Sequence, residues 1–103
     1  MDKKEFDILI TNFIDYDTSI NLDETDSIYY YASAIKRVDS KYIVIKQEVN
    51  SQAIKIKNLA KNLNIKIIEN PPLVRALSME VEENENIPSH FLSILDEIYT
   101  QTL

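Results

Sequence analysis

Residues 65–77 read Ile-Lys-Ile-Ile-Glu-Asn-Pro-Pro-Leu-Val-Arg-Ala-Leu, and this stretch sets the order of elements in the second half of the chain. Its first four residues form a β run with the length of a buried strand. Asn70-Pro71-Pro72 ends that strand, because proline has no backbone N–H to give to a sheet. Pro72 suits the first position of a helix, and mostly apolar residues follow it. The stretch therefore predicts a strand, a sharp turn and a short helix.

A β-hairpin is predicted upstream of this stretch. Residues 28–38 and 42–45 are rich in β-branched and aromatic side chains, which favour a pleated, half-buried surface. Asp39-Ser40-Lys41 supplies a short turn between them, so the two strands should pair antiparallel.

A helix should connect the hairpin to the strand at residue 65. Asn50 or Ser51 can cap its start, and asparagine within residues 62–64 can end it by adopting the left-handed conformation. Strand, helix and strand in this order predict a βαβ unit whose last two strands pair in parallel. The apolar stripe of the helix comprises Ala53, Ile56, Ala60 and Leu63, with Leu59 beside it, whereas Lys55, Lys57 and Lys61 fall off the stripe.

The two ends of the chain carry less pattern. Residues 6–10 predict a short strand or an apolar anchor, whereas residues 15–27 are rich in Asp, Asn, Ser and Thr, which favour loops. Residues 80–86 form an acidic loop, and Pro88 opens a final helix. The apolar stripe of that helix comprises Phe91, Leu92, Leu95, Ile98 and Tyr99.

Charge is sorted along the chain. The net charge of −6 divides into −6 over residues 1–26, +6 over residues 27–75 and −6 over residues 76–103. We therefore predict an acidic N-terminal arm, residues 1–26, and one folded domain, residues 27–103. The basic middle would offer a face to an acidic partner, attract the acidic ends of its own chain, or simply be solvated.

The composition excludes several classes of site. The 103 residues include no glycine, so neither a P-loop nor a dinucleotide-binding fingerprint can be built. They include no cysteine, which excludes disulfides, thiolate nucleophiles and cysteine-held metals. Hydrophobic residues make up 45% and charged residues 27%, as is typical of one globular domain. No apolar run has the length of a membrane span and no signal peptide is recognisable, so we expect a cytoplasmic protein.

Catalytic and metal chemistry have little support in the sequence. His90 is the only histidine, and a single histidine at a helix start is typical of a structural or solvated side chain. Glu80, Glu82, Glu83 and Glu85 do not follow the spacing of a calcium loop. No serine or threonine has a suitably spaced base. We therefore expect no enzyme, no metal, no cofactor and no small-molecule substrate.

The opening stretch closely resembles a signature of one protein family. In the C-terminal cytoplasmic domain of the FlhB/YscU/SpaS export proteins of bacterial flagella and type III secretion systems, a short strand precedes Glu-Asn-Pro-Pro-Leu-Ala-Arg-Ala-Leu. Residues 31–36, Tyr-Ala-Ser-Ala-Ile-Lys, resemble the family's Tyr-Ala-Val-Ala-Leu-Lys strand, and residues 43–46 resemble the strand after it. Residues 81–99 look like the family's closing segment. The resemblance covers roughly residues 28–101.

The resemblance implies a compact α/β domain, with a small mixed sheet of about four strands and about four surrounding helices. Family members normally carry this domain below four transmembrane helices, where it helps to recognise export substrates and to switch from early to late ones. The implied function is protein–protein docking in flagellar or type III export. The implied partners are export-apparatus proteins and export substrates, with indirect membrane association through the export gate at the cytoplasmic face of the inner membrane.

The chain departs from the family in two places besides the cleavage motif. The transmembrane half is missing, so we expect a free-standing, non-cleaving homologue, although a cloned fragment that starts at an added methionine would have the same sequence. Gln47 stands where the family often has glycine after its third strand. The family's conformation of that loop is therefore not carried over to this chain.

The self-cleavage motif of the family, Asn-Pro-Thr-His, is also missing. If Tyr31-Ala32 matches the family's Tyr-Ala, the four motif positions are the degenerate Ser27, Ile28, Tyr29 and Tyr30. A rival register aligns residues 10–16 and keeps Asn12, but it replaces the proline with Phe13 and the histidine with Asp15 and needs a long insertion. We prefer the first register. Self-cleavage in the family needs an asparagine amide that attacks its own carbonyl, so we predict that this chain stays intact.

Three groups of residues are predicted to contact partners. Glu69, Asn70, Pro71 and Pro72 form a rigid turn whose role is structural, partner-binding or both. Lys55, Lys57 and Lys61 line one helix, where they are either plainly solvated or meet acidic partners. Arg75 pairs either with Glu69 or with a carboxylate of the partner.

Two rival functions use the same charges. A nucleic-acid-binding module would combine the basic middle segment with Tyr29, Tyr30 and Tyr31 as stacking platforms, although the chain as a whole is acidic. A small inhibitory or immunity-type protein would instead use the acidic arm on a basic partner.

Overall fold

The computed structural model describes residues 5–13 and 30–102. Within these residues, one mixed four-stranded sheet is covered by helices on both faces, which confirms the predicted fold class. The described ranges contain three α-helices and one 3₁₀ turn, where about four helices were expected. The elements are β1 (Ile8–Thr11), β2 (Tyr31–Val38), β3 (Lys41–Val49), α1 (Asn50–Asn62), β4 (Lys66–Glu69), α2 (Pro71–Glu80), the 3₁₀ turn (Ser89–Phe91) and α3 (Leu92–Thr102).

The strand order is β3-β2-β1-β4, so β1 lies inside the sheet. It pairs antiparallel with β2, where Ile10 lies opposite Ser33, and parallel with β4, where Ile10 lies opposite Ile68. All four residues of β1 are buried. A strand paired on both sides and covered on both faces needs a continuous apolar run. This explains why so short a stretch, residues 8–11, supplies the centre of the fold.

The N-terminal stretch therefore belongs to the folded unit. Phe6, just before β1, and Phe13, just after it, are both buried. The strand predicted in this region is confirmed, and residues 6–13 pack as part of the domain. The predicted boundary between arm and domain, after residue 26, would separate β1 from β2 and β4, the two strands with which it pairs. Residues 14–26 of the predicted arm lie outside the described residues.

The hairpin of β2 and β3 forms as predicted, with antiparallel pairing and a turn at Asp39-Ser40. Asp39 has φ 59°, a left-handed conformation that aspartate tolerates better than most residues. The predicted parallel pairing of β3 with β4 is wrong. The two strands point in the same direction, but β2 and β1 lie between them because β1 takes the place next to β4.

Helix α1 begins and ends where predicted, but its start lacks the predicted side-chain cap. Val49 precedes the helix without a side-chain cap, and the Asn50 carboxamide instead accepts a hydrogen bond from Tyr30 N–H at 3.1 Å. At the C-terminus Asn64 has φ 58°, and Ile65 N–H donates to Ala60 O at 2.9 Å. This is a Schellman closure in which asparagine replaces the usual glycine.

Helix α2 begins one residue earlier than predicted. The Asn70 side chain accepts a hydrogen bond from Leu73 N–H at 3.2 Å and so caps the helix, while Pro71 and Pro72 occupy its first two positions. Asn70 N–H donates to Thr11 O at 2.8 Å, which ties the turn to β1. The strand, turn and helix of residues 65–77 are thus confirmed, and neither proline removes a needed donor.

Two apolar cores lie on opposite faces of the sheet. On one face α2 and α3 pack over Ile8, Ile10 and Ile35. On the other face α1 packs over Leu9 and Ala34, together with Phe6, Phe13 and Tyr30. The final apolar stripe is confirmed, since Phe91, Leu95, Ile98 and Tyr99 are buried in the first core.

Candidate functional site

The two registers proposed for the family's cleavage motif meet in the structure, because the end of β1 lies beside the start of β2. Asn12 follows β1, and its side-chain oxygen accepts a hydrogen bond from Tyr31 N–H at 2.8 Å. Phe13 stacks on Tyr30, with ring centroids 4.6 Å apart. We call these four residues the neck. The two registers therefore fall on neighbouring strands, β1 and β2, at the same end of their antiparallel pair. Ser27, Ile28 and Tyr29 lie outside the described residues.

Tyr30 is not a stacking platform for bases. It is 8% exposed, its ring lies against Phe13, and its backbone N–H and C=O bind the Asn50 side chain and Asn50 N–H respectively. Tyr30 is thus a core residue. Tyr31 is half-buried, with Ala32 buried beside it.

Lys57 is part of the neck's support and does not line the solvent face of α1. Only 4% of Lys57 is exposed. Its ammonium donates a hydrogen bond to Phe13 O at 3.1 Å and lies 4.4 Å from the centre of the Phe13 ring. The Thr11 hydroxyl donates to the same carbonyl at 2.7 Å. The carbonyl and the ring compensate part of the cost of burying the charge.

The predicted row of three lysines is therefore wrong. Ala53, Ile56, Lys57 and Ala60 form the buried stripe of α1, and their spacing is that of one helix face. Lys57 stands four residues after Ala53 and three before Ala60, so its position in the stripe was the signal for its burial. Lys55 and Lys61 are exposed, on other parts of the helix surface.

Lys55 borders a shallow groove between α1 and β3. The groove has a volume of about 220 Å³, and the partly exposed Leu59 and the buried Ile56 provide its apolar surface. Lys46, Glu48 and Gln52 complete its lining. The groove combines apolar surface with charges of both signs.

The turn between β4 and α2 is exposed at both ends and anchored at its middle. Glu69, Pro72 and Arg75 are exposed, whereas Asn70 and Pro71 are half-buried. Within residues 5–13 and 30–102 no salt bridge joins Arg75 to Glu69. The contact of Arg75 with a partner carboxylate stays a prediction.

Two buried tyrosines fasten α3 to the sheet. The Tyr42 hydroxyl donates to Asp96, and the Tyr99 hydroxyl donates to Asp7 at 3.1 Å. The two rings lie 4.9 Å apart. Burial, followed by the hydrogen bond to Asp96, raises the pKa of Tyr42 to about 12. Burial, followed by the Asp7 carboxylate, also raises the pKa of Tyr99.

These pKa shifts predict a loss of stability at high pH. Both phenols release protons more readily in the unfolded chain, so their contribution to stability is complete below pH 10 and declines above it. The contribution of Tyr42 is lost as the pH rises through about 12. For Tyr42 we expect the free energy of unfolding to fall by about 2–3 kcal/mol across this range. Urea unfolding between pH 8 and pH 12 measures it. A Tyr42→Phe variant should show a smaller fall, and an equal fall in both proteins would contradict the assignment.

His90 and the acidic residues near it form no metal site among the described residues. His90 is exposed and its ring lies 2.8 Å from Glu80. Within residues 5–13 and 30–102, no three potential ligands cluster around a common point. In the same part of the chain, no helix has the length and apolar character needed to cross a bilayer.

Comparison with known proteins identifies the relatives of the chain. The FlhB HrpN YscU SpaS family matches residues 31–101. Flagellar biosynthetic protein FlhB of Bacillus subtilis is 35% identical over 92 residues, which cover 89% of this chain and 22% of that protein. The chain thus spans about a fifth of the length of that relative.

Solved structures agree with the sequence comparison. The cytoplasmic domain of FlhB from Shewanella putrefaciens superposes with a TM-score of 0.72 at 25% identity, covering 92% of this chain and 67% of that one. A mutated EscU C-terminal domain superposes with a TM-score of 0.71 at 17% identity, covering 93% and 89% of the two chains, and at that identity it supports the fold alone. The chain belongs to the FlhB HrpN YscU SpaS family of flagellar and type III export proteins.

Proposed function

We propose that this chain is a protein-docking module of bacterial flagellar or type III export. The observation that carries the proposal is the exposed turn after β4, where Glu69, Pro72 and Arg75 project from a backbone fixed by the Asn70 cap. A rigid exposed turn gives up little conformational entropy when a partner binds. The family relationship supports export-apparatus proteins and export substrates as the partners.

Charge defines the partner further. Lys55 and Lys61 on α1 and Arg75 on α2 are exposed cations on opposite faces of the sheet, and we include both groups with residues 69–72 among the proposed docking residues. Lys57 is left out because it is buried against Phe13. An acidic partner surface is the expected counterpart. Contact with the export gate would bring the domain to the cytoplasmic face of the inner membrane, where it works by binding rather than by catalysis.

The docking proposal is tested by charge reversal. We expect a Lys55→Glu/Arg75→Glu variant to bind purified cytoplasmic domains of export-apparatus proteins roughly tenfold or more weakly at low salt, because two cation contacts become repulsive. Isothermal titration calorimetry measures this change. The control is Lys36→Glu/Lys41→Glu, which changes the net charge equally and lies outside the proposed surface. Equal affinity in the two variants would remove Lys55 and Arg75 from the interface.

We also propose that the chain does not cleave itself. Either Ser27-Ile28-Tyr29-Tyr30 or Asn12-Phe13-Ile14-Asp15 stands where the family has Asn-Pro-Thr-His, and both lack the proline and the histidine. In the second case the Asn12 carboxamide is held by Tyr31 N–H, which supports a structural role for it.

The integrity of the chain is measured by mass spectrometry. After several days at physiological temperature we expect one species at 12.0 kDa. A discrete cut after Asn12 or after Asn70 would overturn the proposal, whereas heterogeneous proteolysis in a crude sample is controlled by repurification and protease inhibitors.

A further inference from the structure

The two outer edges of the sheet, β3 and β4, differ in whether other backbone groups bond to them. Along the outer edge of β3, residues 84–87 run beside the strand and bond to it. Asn84 N–H donates to Val44 O at 2.6 Å, and Ile87 N–H donates to Tyr42 O at 2.8 Å. The segment therefore covers the outward backbone groups of Tyr42 and Val44, which an edge strand otherwise exposes to other chains.

The outer edge of β4 has no such cover in the described part of the chain. Asn70 N–H donates to Thr11 O, so the residues that alternate with it, Ile68 and Lys66, also direct their backbone groups toward β1. Ile67 and Glu69 consequently direct their N–H and C=O groups outward. Among residues 5–13 and 30–102, no group bonds to these outward atoms.

We propose that the outer edge of β4 binds an extended segment of a partner protein by strand addition. Two outward N–H groups and two outward C=O groups match the backbone of a β-strand, and they match neither an isolated anion nor a helix. Four residues of β4 span roughly 13 Å, which sets the contact at about four residues of the partner.

Charge complementarity specifies the segment. Lys66 and Glu69 are exposed at opposite ends of β4, and the half-buried Ile67 and Ile68 lie between them. An antiparallel segment with a basic residue beside Glu69, two apolar residues, and an acidic residue beside Lys66 satisfies both ends. The partner is therefore an extended basic-apolar-apolar-acidic stretch.

This inference rests on the proposed function only through Glu69, which belongs to both surfaces. Lys55 and Arg75 carry the docking test, whereas backbone groups of Ile67 and Glu69 carry this one. The two proposals can therefore fail separately.

The probe is the blocked peptide Ser-Lys-Val-Val-Glu-Ser, titrated into the isotopically labelled full chain and followed by NMR. We expect saturable amide shifts centred on Ile67 and Glu69. The peptide Ser-Glu-Val-Val-Glu-Ser should bind several-fold more weakly, because in either strand orientation one of its glutamates lies beside Glu69. Shifts centred elsewhere, or none at the highest soluble concentration, would overturn the proposal.

A proline variant tests the backbone contact itself. Ile67→Pro removes an outward N–H without removing a bond to β1, and we expect roughly three- to tenfold weaker peptide binding than in Ile67→Val. Equal binding by the two folded variants would overturn the proposal. If Ile67→Pro does not fold, amide exchange in the unmodified chain decides instead. Saturating peptide should slow exchange at Ile67 and Glu69, and unchanged exchange there would refute strand addition.

Discussion

Removing residues 1–13 is expected to abolish cooperative folding. The deletion takes away β1, whose Ile8, Leu9 and Ile10 are fully buried and which is paired on both sides. The remaining chain would have to join β2 to β4 across the gap or leave two strand edges and both cores exposed. Circular dichroism during urea titration and the dispersion of the amide NMR spectrum measure the outcome. A sharp, two-state transition in the shortened chain would contradict the assignment of β1 to the centre of the sheet.

A single substitution gives the graded form of this prediction. Leu9→Ala should lower the free energy of unfolding by about 3–4 kcal/mol, because it removes a large side chain from a closely packed core. Glu5→Ala, at an exposed position just before the strand, should change the same quantity by less than about 0.5 kcal/mol. Equal effects of the two substitutions would show that residues 5–13 do not pack as described.

Lys57→Ala is expected to destabilise the protein by about 2–4 kcal/mol. It removes the buried stem and the ammonium that binds the carbonyl and ring of Phe13. Lys57→Met keeps most of the apolar stem and should cost less, which separates packing from the ammonium contacts. Lys55→Ala is the matched control, since Lys55 lies on the same helix and is exposed. If Lys57→Ala proves as mild as Lys55→Ala in urea unfolding, the neck does not depend on this lysine.

Local chemistry made part of the fold predictable. The turn at residues 70–72 followed from proline and asparagine, and the helix end at Asn64 followed from the tolerance of asparagine for positive φ. The hairpin followed from two β runs and a short turn. Each of these features depends on interactions between residues that are close in the sequence, and such interactions can be predicted from residue patterns.

Contacts between distant residues were not predictable in the same way. Nothing within residues 6–13 says that β1 separates β2 from β4, and the competing βαβ pairing satisfied every local rule. Asn50 has a side chain that could cap the helix, yet its carboxamide oxygen accepts a hydrogen bond from the N–H of Tyr30, twenty positions earlier. Only tertiary packing decides between two partners of similar chemistry.

The candidate site was predictable to the same extent. The family signature gave the turn after β4, where Glu69, Pro72 and Arg75 are exposed, and their binding role stays a prediction. Lys57 was predicted to fall off the apolar stripe of α1, although its spacing from Ala53 and Ala60 places it on the buried face. Its burial becomes intelligible only with Phe13, forty-four positions earlier, in place.

The position of β1 also bears on the order in which the chain folds. Ile8 lies opposite Lys66, fifty-eight positions later, whereas β2 and β3 meet across a tight turn. Closing long loops costs entropy before any contact rewards it, so distant pairings form slowly. During synthesis β1 emerges well before its parallel neighbour exists. We therefore expect the hairpin and α1 to form early, with β1 completing the sheet only after β4 has left the ribosome.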